Sequence, residues 1–365
     1  MTDRRSGHER RDHDAAVPGA SSPFRDVPFV TVIMPIRNEG SFLEASLGSV
    51  LQQDYSENAM EVIVADGLST DGTRAIVRRL ASRDRRLKMI DNPERIVPTG
   101  LNRALRVARG EVIVRVDGHT VVERDYVSQC VAALRRTEAD NVGGPMRAEG
   151  HGRFGAAVAA ATGSPFGVGS ARFHYSDREE WVDTVYMGAW ARSIFERIGV
   201  FDETMIRDQD DEFNYRLLDR GGRILLSPRI RSRYVVRSTP ASLWRQYFQY
   251  GYWKVRVMLK HPRQARPRQL APPVFVLALL LSVVVLAAGE GQRRLGLIVP
   301  LAYVATNAAA SVAVARRVGW KQLAWTALAY AILHLSYGLG FLAGMVPGAA
   351  AWIRGRGRAG QDTRT

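Results

Sequence analysis

Residues 62–73, which read VIVADGLSTDGT, constrain the fold more than any other part of the chain. The apolar run ends abruptly at Asp66, and a glycine, small polar residues and a second carboxylate, Asp71, follow it. A buried parallel strand brings an acid in this way to the C-terminal edge of a sheet, where open α/β folds bind ligands. Residues 31–39 and 112–119 repeat the arrangement. Three strands that end in polar groups at one edge predict a nucleotide site.

Apolar strands alternate with short amphipathic helices along the first part of the chain. Strands are predicted near residues 29–34, 60–65, 87–90 and 111–116. The helices between them carry apolar residues at helical spacing. This alternation predicts an α/β domain over residues 28–240 with a mostly parallel, doubly wound sheet. After Asn141 the glycine content rises, which indicates loops and short strands around a second pocket.

The composition changes completely from Pro272 onward. Apolar segments of 17, 21 and 24 residues cover 272–288, 295–315 and 323–346. Because a membrane span needs about 20 residues, we predict a transmembrane region at 271–350 with about three helices. Three crossings place the chain ends on opposite sides, yet Arg354, Arg356 and Arg358 favour a cytoplasmic tail at 351–365. A re-entrant or interfacial segment is the alternative.

One further segment precedes the α/β domain, and another lies between that domain and the apolar segments. Residues 1–27 are polar and contain no apolar run, which predicts a disordered tail rather than a signal peptide. We therefore expect the N-terminal domain to be cytoplasmic, on a multi-pass protein of the inner or plasma membrane. Residues 241–270 form an amphipathic, basic segment with aromatic residues on one face. Such a segment lies in a membrane interface or packs on the preceding domain.

Charge and cysteine content exclude some classes of function. The formal net charge is +15 at pH 7, and six Lys/Arg lie between Lys254 and Arg268, which favours contact with anionic lipid. No nucleic-acid-reading module accompanies the charge, so nucleic acid is not an expected partner. Cys130 is the only cysteine. A disulfide within the chain and a cysteine-ligated metal cluster are therefore excluded, and helical spacing predicts that Cys130 packs in the core.

Four motifs occur in order along the chain: PIRNE at 35–39, DGLSTDGT at 66–73, DGH at 117–119 and DQDDEFNYR at 208–216. Together they resemble the family 2 glycosyltransferases, which are inverting enzymes of the Rossmann-like GT-A fold. The resemblance covers roughly residues 29–260. Residues 140–146, 182–185 and 245–248 are most similar to the branch that builds succinoglycan-type exopolysaccharides.

This resemblance implies a membrane-anchored transferase. It would move a hexose from a nucleoside-diphosphate sugar, with UDP-glucose as the expected donor, to a lipid-linked saccharide in exopolysaccharide or cell-surface glycan synthesis. Direct transfer to polyprenyl phosphate is a second possibility. A catalytically inactive membrane scaffold that kept the fold is a third.

For the nucleotide, the resemblance points to Pro35, Arg37, Glu39 and Asp66. The Asp66 carboxylate, at the end of a buried strand, is suited to accept hydrogen bonds from a uracil N–H or a ribose hydroxyl, and a turn-forming role is the alternative. Asp71 is expected either to contact the nucleotide or to cap the following helix.

The resemblance also assigns a divalent cation, Mn²⁺ or Mg²⁺, to Asp117 at the nucleotide diphosphate. His119 stands at the third position of the family's Asp-x-Asp motif, where it either binds the metal itself, or supports a metal ligand or contacts the nucleotide. Asp210 aligns with the general base, and Asp211 is the alternative. Gln209 stands where the family usually has Glu. Acids at the start of a helix also stabilise it without any catalytic role.

The acceptor side is the least specific part of the resemblance. It places Gly188, Trp190 and Gln246 beside the acceptor. Trp190 would stack on a sugar ring, and core packing is the equal alternative.

Overall fold

The computed structural model of the chain describes residues 26–288 and 292–346. The predicted basic tail at 351–365, and all but the last two residues of the predicted tail at 1–27, lie outside the described residues.

The N-terminal domain is built on a mixed eight-stranded sheet. Its strands are β1 (Val30–Ile36), β2 (Met60–Asp66), β3 (Leu87–Asp91), β4 (Val112–Arg115), β6 (Asn141–Gly144), β8 (Glu180–Val182), β9 (Tyr186–Ala191) and β10 (Ile224–Leu226). The order is β3-β2-β1-β4-β9-β6-β10-β8. The first four strands are parallel, whereas β9 runs antiparallel to both β4 and β6.

A smaller sheet lies beside this one. It contains β5 (Thr120–Val122), β7 (Met146–Glu149) and β11 (Ser232–Val235), in the order β5-β11-β7. The glycine-rich region after Asn141 thus forms short strands, as its composition predicts.

Eight helices belong to the same domain. They are α1 (Leu43–Leu51), α2 (Thr73–Ala81), α3 (Val97–Val107), α4 (Tyr126–Thr137), α5 (Gly152–Thr162), α6 (Pro165–Val168), α7 (Arg192–Ile198) and α8 (Gln209–Asp219). One apolar cluster joins the main sheet to α1, α2 and α4, and a second joins it to α3, α7 and α8. Helices therefore cover both faces, as a doubly wound sheet requires. Cys130 is fully buried in the first cluster, which confirms its predicted place in the core.

The register of the parallel strands places their polar ends together. Ile36 pairs with Asp66, and Asp66 pairs with Asp91 on the other side. Arg115 ends β4, which pairs with β1. The strand ends thus meet at one edge of the sheet, as the repeated motif predicts.

Four long helices follow: α9 (Pro240–Lys260), α10 (Pro267–Ala287), α11 (Arg293–Val318) and α12 (Leu323–Gly344). Three candidate spans, Pro267–Ala287, Arg293–Val318 and Trp320–Gly344, are long and apolar enough to cross a membrane. They correspond closely to the three apolar segments of the sequence. In the third span, 44% of the most apolar window is buried inside the protein, against 17% in each of the other two.

Helix α12 packs against α5 near its start and along α9 toward its end. Near its start, the Trp325 ring contacts Phe154 of α5 at 6.2 Å between centroids. Near its end, Ala343 packs on a cluster that includes Met205 and Tyr215. Close approach to α9 depends on small residues, since a side chain at Gly340 would collide with the backbone of α9.

Because both ends of α12 contact the same domain, we predict that α10 and α11 cross the membrane and that α12 does not. A helix that crosses a hydrocarbon core of about 30 Å carries its ends to opposite sides. Single-cysteine variants test this, because Cys130 is buried. Membrane-impermeant maleimide added to intact cells should label the Ala288→Cys variant. It should not label Met345→Cys, nor the control Arg83→Cys on the N-terminal domain. Equal labelling at positions 288 and 345 would contradict the prediction.

Candidate active site

A cavity of about 1500 Å³ begins at the C-terminal edge of the sheet and extends to the long helices. Three parts of the chain contribute to its lining: the strand-end loops with Pro35, Arg37, Glu39, Asp117 and His119; the start of α8 with Asp208, Asp210 and Asp211; and α9–α12 with Gln246, Lys254, Phe275 and Tyr337. The predicted nucleotide, metal and base residues therefore share one cavity, apart from Asp66 and Asp71.

Hydrogen bonds connect the loops that follow β1 and β2. Asn38 donates its backbone N–H to the Ser69 hydroxyl at 2.9 Å and accepts the Thr70 N–H at 2.9 Å. The Asp71 carboxylate accepts the backbone N–H groups of Gly40 and Thr73, each at 3.0 Å. These bonds link the loop to the start of α2, which fits the second of the two predicted roles of Asp71, and its contact with the nucleotide stays a prediction.

Asp66 is fully buried and already hydrogen-bonded. It accepts the Ser69 hydroxyl at 2.5 Å and the Arg74 guanidinium at 2.6 Å. Arg74 also pairs with Asp91 at 2.8 Å, so it joins the ends of β2 and β3. The neighbouring Gly67 lines the cavity. In this arrangement Asp66 orders the loop beside the cavity, and its contact with a nucleoside stays a prediction.

His119 lies between the two sheets. Its Nδ1 is 3.1 Å from the Glu39 carboxylate, and its ring meets the edge of Tyr234 at 5.4 Å. The Glu39 pairing leaves Nε2 as the ring nitrogen available to another partner. Among the residues that the structure describes, no three His, Cys, Asp or Glu side chains form a group able to hold a metal ion.

Asp117 forms an ion pair with Arg115, a residue that the sequence analysis missed. Arg115 is 4% exposed and donates to the two Asp117 carboxylate oxygens at 2.8 and 3.2 Å. Its charge also acts on Asp210 across the cavity. The signal in the sequence was an arginine within the apolar run VIVRV, since a buried charge needs a partner.

The three acids at the start of α8 differ in their surroundings. Asp208 has a left-handed backbone conformation, with φ of 56°. The Lys254 ammonium, from α9, pairs with Asp211 and lies 3.1 Å from Asp208. Asp211 also accepts the Thr184 hydroxyl at 2.7 Å. Asp210 lines the cavity, and its carboxylate accepts the backbone N–H of the adjacent Asp211 at 3.0 Å.

These surroundings separate the acids by proton affinity. Burial raises the pKa of Asp210, and the negative charges of Asp211 and Asp117 add to the increase against the opposing charge of Arg115. Burial alone would also raise the pKa of Asp211, but pairing with Lys254 and the Thr184 hydrogen bond lower it below its ordinary value. Of the two predicted base candidates, Asp210 therefore has the higher proton affinity.

Several basic residues of the segment 254–268 pair with acids of the protein. Lys254 pairs with the acids of α8, and Lys260 pairs with Asp202. Arg268 lies 2.7 Å from Asp183. These ion pairs show that part of the segment contacts the protein, and its contact with anionic lipid stays a prediction. Helical spacing places Lys254 beside the aromatic face of α9. That spacing alone does not predict that the Lys254 side chain reaches the cavity.

The predicted acceptor residues separate into two groups. Trp190 is 1% exposed and packs among Phe195, Phe201 and Phe213, so the structure places it in the core and not against an acceptor. Gly188, with φ of 118°, leaves room for the Trp190 ring. Gln246 does line the cavity, where it donates to the hydroxyls of Tyr234 and Tyr250 at 3.1 and 2.9 Å.

Comparisons with known proteins agree with this geometry. The family model for Glycosyl transferase family 2 matches residues 31–199. Succinoglycan biosynthesis protein ExoA of Rhizobium meliloti (strain 1021) is 33% identical over 243 residues, which are 66% of this chain and 73% of that protein. The dolichyl N-acetyl-alpha-D-glucosaminyl phosphate 3-beta-D-2,3-diacetamido-2,3-dideoxy-beta-D-glucuronosyltransferase of Methanococcus voltae is 26% identical over 231 residues, 61% of this chain and 72% of that protein.

A solved structure, the mannosyltransferase PcManGT from Pyrobaculum calidifontis in complex with GDP-Man and Mn²⁺, has a TM-score of 0.61 and 22% identity, with 92% of each chain covered. This likeness confirms the predicted GT-A fold. The sequence match to ExoA and the family model together show that the chain belongs to glycosyltransferase family 2 and is a glycosyltransferase.

Proposed function

We propose that the enzyme transfers a hexose, with UDP-glucose as the first donor to test, to a lipid-linked saccharide, with inversion at the anomeric carbon. One observation carries this proposal. A single cavity is lined both by the strand-end residues of the nucleotide side and by residues of α10–α12. A water-soluble donor and a membrane-bound acceptor therefore have a common place to meet.

The reaction is a single displacement in which Asp210 is the general base. The acceptor hydroxyl oxygen bonds to the anomeric carbon, its proton passes to the Asp210 carboxylate, and the bond from that carbon to the diphosphate oxygen breaks. A raised pKa suits this role, because a base works best when its pKa approaches the working pH. Asp211, held by Lys254 and Thr184, supports the loop instead.

The residues at the strand ends fit a divalent cation that is completed by the substrate. Asp117 and His119 line the cavity and supply one carboxylate and one imidazole. Mg²⁺ and Mn²⁺ sites of this kind take one or two protein ligands and fill the rest with phosphate oxygens and water. When bound, the ion would offset charge on the departing diphosphate. Arg115, which now holds Asp117, supplies positive charge at the same place.

We infer a cytoplasmic catalytic domain at the cell membrane. On the domain's side of α10 and α11, Arg266, Arg268, Arg316 and Arg317 flank the helices, against Arg293 and Arg294 on the other side. An excess of basic residues favours the cytoplasmic side.

Transfer directly to polyprenyl phosphate is the second candidate. The same cavity would hold that acceptor, and a phosphate oxygen needs no base. The name of the Methanococcus voltae relative describes a dolichyl phosphate that already carries a sugar, which favours the lipid-linked saccharide.

Incubation of membranes that contain the enzyme with labelled nucleotide sugars tests the proposal. We expect one sugar, first UDP-glucose, to enter the lipid extract in the presence of Mn²⁺ or Mg²⁺, and the transfer to be lost on addition of EDTA. Mild acid hydrolysis then shows whether the label lies on a pre-existing saccharide or directly on the lipid phosphate. No incorporation from any nucleotide sugar, with native lipid present, would contradict the proposed function.

A further inference from the structure

Three arginines of the cavity have no acidic partner. Arg207 precedes α8, Arg237 follows β11 and Arg245 lies in the second turn of α9, and all three line the cavity. Within 26–288 and 292–346, none of their side chains forms a hydrogen bond or an ion pair. The other cations deep in the cavity differ: Arg115, Lys254 and Arg268 each pair with a carboxylate.

The positions of these arginines mark a border within the cavity. Val236, next to Arg237, and Leu243, two residues before Arg245, belong to an apolar cluster that includes Tyr330 and Leu333 of α12. Ile206, next to Arg207, packs on the cluster that also contacts Ala343 of α12. The three arginines therefore lie where the catalytic domain meets the long helices. The Arg95 side chain likewise forms no hydrogen bond or ion pair with the described residues. It differs in position, because it lies after the edge strand β3, on the nucleotide side of the cavity.

Beyond that border the cavity is uncharged. After the first turn of α10, the lining that α10–α12 contribute consists of Ala271, Pro272, Phe275, Tyr303, Leu333, His334 and Tyr337. Phe166 and Val168 of α6 also line the cavity. Such a surface suits a hydrocarbon chain. It adjoins the unpaired guanidinium groups of the three arginines. A molecule with a hydrocarbon chain and an anionic head matches both halves.

We propose that Arg207, Arg237 and Arg245 bind the phosphate or diphosphate that links a long-chain lipid to the acceptor sugar, with the chain held between α6, α10 and α12. Guanidinium groups bind phosphate through paired, charge-assisted hydrogen bonds, which a neutral lipid does not offer. This inference rests on the proposed function for the identity of the lipid as acceptor. The binding itself is measurable without catalysis.

The test uses the full chain in detergent micelles, with farnesyl diphosphate as the probe and farnesol, inorganic pyrophosphate and UDP as comparisons. Calorimetric titration should show that farnesyl diphosphate binds more tightly than farnesol or pyrophosphate. The double variant Arg237→Gln/Arg245→Gln should lose about tenfold or more of that affinity and keep its affinity for UDP. The matched control Arg83→Gln/Arg106→Gln removes the same charge outside the cavity and should bind like the wild type.

Three results would overturn the proposal. One is unchanged affinity of the double variant for farnesyl diphosphate. Another is an equal loss of UDP affinity, which would place the arginines at the donor. The third is displacement of farnesyl diphosphate by equimolar phosphatidylglycerol, which would indicate a site for bulk anionic lipid. The single variant Arg245→Gln, at an exposed position, repeats the test if the double variant does not fold. Arginine-dependent binding without sugar transfer would contradict only the proposed function.

Discussion

Asp210→Asn should lower kcat by about a thousandfold while the affinity for the nucleotide stays near that of the wild type. Positioned general bases contribute about 10²–10⁴-fold to rate, and an amide of the same shape accepts no proton from the acceptor hydroxyl. Asp210 lies at the cavity, and its carboxylate is not held by a cation at bonding distance among the described residues. Initial rates of sugar transfer and calorimetric binding of UDP measure the two effects separately.

Asp211→Asn is the matched control for this substitution. It removes the same charge one residue away, from a carboxylate that Lys254 and Thr184 already hold. We expect a loss of about tenfold, because the loop is loosened but the base remains. If Asp211→Asn abolished transfer and Asp210→Asn left it near normal, the assignment of the base would be reversed.

Lys254→Met should move the acid limb of the pH–rate profile to higher pH and lower the rate near neutrality by about tenfold. The Lys254 charge lowers the pKa of Asp210, so its removal raises that pKa further. Since the base acts deprotonated, more enzyme is then inactive at a given pH, and raising the pH restores the rate. The groups that face Lys254 are Asp208, Asp211 and Tyr215 of the catalytic domain and Tyr337 of α12.

Two controls separate this effect from simple destabilisation. Removing one member of a buried ion pair costs about 3–5 kcal/mol, so the variant's unfolding temperature should fall as well. Lys254→Arg keeps the charge and should keep the acid limb in place. The donor KM should stay unchanged in both variants. A folded Lys254→Met enzyme with the wild-type pH profile would show that Lys254 has only a structural role.

The sequence was sufficient for those parts of the fold that depend on local pattern. An apolar run followed by polar residues and a glycine predicts a strand end, and β1, β2 and β4 end within two residues of the predicted positions. Parallel strands necessarily bring their ends to one edge, so Glu39, Asp117 and His119 were correctly expected together. The candidate membrane segments were equally readable, because hydropathy and length are properties of the segment itself.

Contacts between distant parts of the chain could not be predicted from local sequence patterns. Trp190 is in the core because α7 and α8 surround β9, and Asp66 is already bonded because Arg74 turns back from α2. In both cases the residue type was compatible with either a ligand contact or a packing role. Only the positions of the neighbouring side chains distinguish the two.

The sequence by itself thus determined the family, the sheet edge that carries the site and the presence of apolar helices. The tertiary structure distinguishes the surroundings of the two candidate acids, because Lys254 lies 43 residues beyond Asp211 in the chain and pairs with it only after folding. It also shows that α12 packs closely against α9, a contact that no single helix reveals. Local pattern follows from the spacing of residues along the chain, whereas charge pairing and helix docking depend on distances that exist only after folding.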